Sequence, residues 1–255
     1  YREATLLTDI MHKDALAPLT SLEPERLVSR DGKDSLAEFV LALSLVFNDL
    51  KGIVNWRDYI MLQPPPDTKV ISPELGEWIG FDMQTHRLMV AQLHELLRLI
   101  EEFKEVVEGD EMRRIIKKAP ASARRRWDEI VRIATGKGGL GDDIFATILV
   151  KVRNNASYHY YQPKTLVAGF RDFFFKAPKD AGNEWAYVSI GDNMGQTRFY
   201  FADAAMQATL YTLTEKPIGA KFAKRFGDVI EDVNQALAYI IGQYIKRAKP
   251  RAKSS

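Results

Sequence analysis

From Leu36 to Val54 the apolar residues Leu36, Phe39, Val40, Leu43, Val46, Phe47, Leu50 and Val54 recur three and four apart. That spacing draws one stripe along a helix, and it scatters over both faces of a strand. A stripe this wide has to be covered by other helices, because left in water it would expose most of its apolar surface. Ser35 with Glu38 three residues later has the form of a capping box, so the helix is expected to start there. Pro64-Pro65-Pro66 must end it, since proline lacks the amide hydrogen and clashes with the preceding turn. The chain is therefore read as all-α, a helical bundle.

The same period continues downstream. A second helix is expected from about Phe81 to Glu108, with Met83, His86, Val90, Leu93, Leu97, Ile100 and Val107 as its stripe and Gly109 as its stop. EMRRIIKK and SARRRWDEIVRIA follow as shorter helices, split by Pro120 and closed by Gly136. GKGGLG then leads into DDIFATILVKVRNNASYHYY, where Phe145, Ile148, Val152, Asn155 and His159 share a side and Pro163 marks the end. After the aromatic segment LVAGFRDFFF the pattern changes. EWAYVSI and TRFYF are rich in β-branched and aromatic residues around GDNMGQ, which predicts a small inserted β-hairpin over 184–202. C-terminal helices are expected over 203–247, ahead of a basic, frayed tail. No internal repeat or long linker divides the chain, so residues 1–255 are read as a single helical domain.

Cysteine is absent, which removes disulfides, thiolate metal sites and thiol nucleophiles and fits a reducing, cytoplasmic setting. The longest apolar run, residues 36–47, contains Glu38 and falls short of the roughly 20 residues a membrane span needs, so no membrane partner is expected. The N-terminal stretch carries charges throughout and lacks the apolar centre of a signal peptide. It begins with Tyr1, and the natural start is expected to lie before it.

The glycine-rich GKGGLGDD link lacks the GK[ST] ending and the preceding strand of a phosphate loop, and reads as a helix connection. No histidine stands three residues after a glutamate, and His94-Glu95 is not followed by a second histidine three residues on, so no metal and no cofactor is expected. His86 falls on the apolar stripe and is expected in the core. His94 shares a face with Arg87, Arg98 and Glu101 and is expected in solvent. The net charge is only +2, yet Arg113, Arg114, Lys117, Lys118, Arg124, Arg125 and Arg126 crowd a short stretch without an acid, beside Trp127. Such a run suits contact with a phosphate backbone, which lysine and arginine neutralise without base-specific geometry.

Arg153, Asn154 and His159 stand at the end of the helix in KVRNNASYHYYQP. Attack of a ribose 2′-hydroxyl on the adjacent phosphate needs a base, an acid and cationic stabilisation of the phosphorane. Histidine exchanges protons near neutral pH. Arginine stays charged and presents a fork of donors to phosphate oxygens. Tyr158 and Tyr160 beside them suit base stacking or an interface.

Arginine, then asparagine, four further residues and histidine resemble the R-x(4–6)-H motif of the HEPN superfamily, in which Asn, Asp or His commonly follows the arginine. The resemblance covers about residues 34–162 and leaves the hairpin and C-terminal helices outside. It implies a helical bundle acting as a metal-independent endoribonuclease on single-stranded RNA, active as a homodimer. It further implies a toxin or anti-phage defence factor, with an antitoxin or regulatory protein among its partners. By the same resemblance Arg153 and His159 are catalytic and Asn154 supports them. Some members of the superfamily are catalytically inactive and bind a partner protein or nucleotide, and that is the alternative. On an unbroken helix six residues turn by about 240° and rise about 9 Å, which would separate Arg153 from His159. The two converge only where the helix breaks or a two-fold axis joins two chains.

Overall fold

The computed structural model describes residues 21–136, 144–157, 165–176, 178, 183–218 and 221–248. Among them nine α-helices follow a short 3-10 turn at Pro24–Arg26: α1 Ser35–Met61, α2 Pro73–Glu102, α3 Lys104–Val107, α4 Asp110–Lys117, α5 Ala121–Thr135, α6 Ile144–Val152, α7 Thr165–Phe174, α8 Tyr200–Ile218 and α9 Lys221–Ala248. The molecule is predominantly helical, as the stripe of α1 requires. No helix among the described residues is long and apolar enough to cross a membrane.

The ends of the long helices follow local chemistry. Asp34, rather than Ser35, caps α1: its carboxylate accepts from the Ala37 amide at 3.0 Å. Ser72 caps α2, accepting from Leu75 at 3.2 Å, and Pro73 fills the first helical position, where a missing amide hydrogen costs nothing. That helix therefore begins well before the expected Phe81. It ends at Phe103, whose backbone leaves the helical region at φ −95°, ψ 26°.

The buried centre is continuous from Leu36 to Tyr244. The α1 and α2 stripes face one another, and α9 closes over α1 and α5. Phe39 is fully buried between the Phe103 ring at 5.4 Å and the Trp127 ring at 6.5 Å. Phe145 of α6 meets Phe222 of α9 at 5.5 Å. At the rim, Arg126 pairs with Asp232, Arg225 reaches Glu129 at 3.2 Å, and the Tyr244 hydroxyl donates to the Leu27 carbonyl. Gly169 lets α7 lie against α8, since a Cβ there would stand 2.2 Å from the Ala205 carbonyl oxygen.

Two sequence expectations change. The hairpin over 184–202 contracts to one antiparallel bridge, Ser189 with Arg198, whose reciprocal hydrogen bonds measure 2.9 and 2.8 Å. Tyr200 and Phe201, expected in its second strand, already belong to α8. The two histidines exchange roles: His94 is buried, and His86 is half-exposed with Nδ1 at 2.9 Å from the Asp82 carbonyl oxygen. Trp127, which adjoins the basic run in the sequence, is 1% exposed and belongs to the core.

Candidate functional site

The expected motif begins where α6 changes form. Regular helix stops at Val152, and Arg153–Ser157 make a π turn, in which hydrogen bonds span five residues instead of four. Such turns occur mostly as single insertions within α-helices, often at functional sites. Asn155 helps to stabilise it: its side-chain amide donates at 2.7 Å to the Lys151 carbonyl, the oxygen that its own backbone amide would take in an α-helix. Two contacts pin the turn to α2. Arg87 Nη1 donates to the Ala156 carbonyl at 3.4 Å, and the Ser157 hydroxyl donates to the Arg87 carbonyl at 3.0 Å.

Arg153 lies half-buried beside Asn154 and Glu95. Its Nη1 donates to Asn154 Oδ1 at 3.2 Å, and its Nη2 is 3.4 Å from Glu95 Oε1. The same Glu95 oxygen is 3.4 Å from His94 Nδ1. Burial pushes the His94 imidazole below the usual histidine value; Glu95 opposes the shift, while the positive charges of Arg153 and Arg98 add to it. His94 is thereby kept neutral around pH 7. The arrangement is a guanidinium held in place by one carboxylate and one side-chain amide, with a neutral imidazole on the far side of the carboxylate. His159, Tyr158 and Tyr160 lie outside the described residues.

The basic run divides. Arg113, Arg114, Lys117, Lys118 and Arg125 are exposed on α4, α5 and the bend between them. Arg113, Lys117 and Arg124 border one shallow depression, with Trp127 beneath and Glu108 and Asp128 at its edge. Arg126 is turned inward to Asp232 and Glu231 of α9, so it holds two helices together. This run is carried by helices packed on α9 and α2, whereas the π turn packs on α2 and α8. Among the described residues no group of three His, Asp or Glu side chains is placed to hold a metal ion.

Glu95 and Arg87 were not singled out as site residues by the sequence. Their partners stand some sixty to seventy positions away, and nothing local distinguishes them from other charges on a helix surface. The one usable signal was the crowding of Arg87, His94, Glu95 and Arg98 along a single helix. Comparison of the chain with protein-family models, with curated proteins and with solved structures finds no match.

Proposed function

We propose that the chain is a metal-independent endoribonuclease of HEPN type that cleaves single-stranded RNA as a homodimer. The observation that carries this reading is the π turn that opens on Arg153. It presents the motif arginine beside Asn154, at the point where the helix leaves regular geometry. The reaction is attack of a ribose 2′-oxygen on the adjacent phosphorus. The bond to the 5′-oxygen of the next nucleotide breaks, leaving a 2′,3′-cyclic phosphate and a 5′-hydroxyl. A base takes the 2′-hydroxyl proton and an acid returns one to the departing oxygen. His159 is assigned to proton transfer and Arg153 to the charge on the phosphorane. Asn154, which accepts from Arg153, keeps the guanidinium oriented. One His159 per chain supplies a base or an acid; two chains supply both, which is the reason for the dimer.

A single assay tests the assignment: cleavage of mixed RNA by wild type, Arg153→Ala and His159→Ala in EDTA, with folding followed by circular dichroism. Both variants should fold and lose activity by about two orders of magnitude or more. Unchanged cleavage by either folded variant refutes it.

The second reading, a catalytically silent module that binds a partner protein or nucleotide, is favoured by the Glu95 contact, which gives the guanidinium a counter-charge without a phosphate. Glu95→Gln separates the two. On the enzyme reading it removes the competing counter-charge beside Arg153 and cleavage persists. On the silent reading wild type and variant are equally inactive.

A further inference from the structure

The N-terminal end of α2, the end of α7, the start of α8 and the loop before α8 enclose a cavity of about 340 Å³, remote from the basic run. Its loop wall is held by a specific clamp. Arg198 places Nη1 at 2.9 Å from Glu77 and Nε at 2.9 Å from Asp203, with its guanidinium 5.4 Å from the centre of the Phe81 ring. That position exists only because residue 80 is glycine: a Cβ there would lie 1.7 Å from Arg198 Nη2. One turn earlier, Gly76 admits the Tyr200 ring, which would stand 2.4 Å from a Cβ. The Tyr200 hydroxyl bonds to the Pro73 carbonyl and to Ser189, so the loop is fastened to the first turn of α2 at both edges.

The lining is mostly aromatic and aliphatic, with Phe173, Phe174, Trp185, Tyr187 and Tyr200 contributing rings. Trp185 lines the cavity while remaining 70% exposed, and Ile71 beside it is 61% exposed. Apolar surface left open around a fastened cavity is the usual form of a small-molecule site. Charge narrows the ligand. Among the described residues no lysine, arginine or histidine lines the cavity, and the one carboxylate there, Asp203, is already paired with Arg198. An ion entering it would lose water and meet no partner charge. Asn183 already donates to the Phe173 carbonyl at 3.2 Å, so its side-chain oxygen and the amide of Gln207 are the polar groups left for one or two directed hydrogen bonds.

We propose that this cavity binds a flat, uncharged organic molecule of about the size of a naphthyl-aniline ring system. The site does not depend on the ribonuclease reading. The test is titration of the full chain with neutral N-phenyl-1-naphthylamine, reading probe fluorescence and energy transfer from tryptophan. One saturable site per chain is expected. Ala204→Trp, which fills the floor, and Trp185→Ala, which removes a wall, should each weaken binding by about tenfold or more. Trp185 is too exposed to hold the core, so its variant serves even where Ala204→Trp does not fold. The anionic 8-anilinonaphthalene-1-sulfonate should bind at least about tenfold more weakly than the neutral probe. Unsaturable uptake, affinity unchanged in folded Trp185→Ala, or tighter binding of the anion would overturn the proposal. So would probe release on raising the protein concentration together with dimer formation in sedimentation, because the cavity would then be covered by a second copy.

Discussion

Replacing Gly80 by alanine reverses a familiar rule. In a helix interior that exchange normally stabilises by about 1 kcal/mol, because alanine loses less conformational entropy. Gly52 of α1, where an added Cβ meets nothing within 4 Å, should follow the rule. At Gly80 the new Cβ would fall 1.7 Å from Arg198 Nη2 and 2.6 Å from its Cζ, so the guanidinium must leave. Its side chain is 19% exposed, and its partners Glu77 and Asp203 are 44% and 27% exposed. The Asp203 bond, the better shielded one, is worth roughly 2 kcal/mol as a charge-assisted bond. The Glu77 pair adds about 0.5–1 kcal/mol at its exposure. Against the propensity gain, Gly80→Ala should cost about 1–2 kcal/mol net. Urea melts of the two variants measure this directly. The decisive arm is Gly80→Ala in an Arg198→Ala background, where the obstruction is gone and the substitution should become stabilising by about 1 kcal/mol. The same sign in both backgrounds would show that the Arg198 clamp is not what Gly80 accommodates.

Other consequences follow from burial and charge. His94 has its proton affinity lowered by burial, so the unfolded chain binds more protons there as pH drops below 6.5. Stability should be full above pH 6.5, decline as pH falls through the lower folded value, and lose that slope in His94→Gln, as melts across this range would record. Glu129, lowered chiefly by its bond from Arg132, contributes stability that is lost only below its ordinary 4.5. Trp127→Ala should destabilise by about 3–5 kcal/mol in denaturant melts, since it leaves a cavity against Phe39. Charge reversal of Arg124 and Arg125 should leave stability within about 0.5 kcal/mol while weakening RNA binding and its salt dependence. Arg126→Ala should instead destabilise, because it removes the pairing to α9; filter binding at several salt concentrations, beside melts, separates these roles.

What the sequence revealed depended on how local its cause was. The α1 stripe read correctly because its partners, chiefly α2 and α9, all lie along one side of it: Leu36, Phe39, Val40, Leu43, Val46 and Leu50 are all buried. The helix α2 is surrounded by different elements at different heights. Around Leu93, His94, Leu96 and Leu97 it is buried on more than one face, so a single stripe could not place His94. Aromatic and β-branched residues in 185–188 imitated a strand, yet they line a cavity, and the contact that fixes them joins Arg198 to Gly80, more than a hundred positions away. Of the candidate site, Arg153 and Asn154 could be proposed from the motif they resemble. Glu95 could not, because only folding brings it to Arg153.

The π turn also makes chain length a structural variable in its own right. A turn closed by five-residue hydrogen bonds holds one residue more than an α-helix needs over the same span. Deleting a single residue within Arg153–Ser157 would let α6 run on as ordinary helix. Because the turn already absorbs that extra residue, the helix on either side of it would keep its register against α2. Removal of Asn155 would leave the Ala156 carbonyl and the Ser157 hydroxyl beside Arg87 and would take away the side-chain bond to the Lys151 carbonyl. Neither Arg153 nor Asn154 need change for the turn to be lost; one codon separates a regular helix from the turn that opens on Arg153.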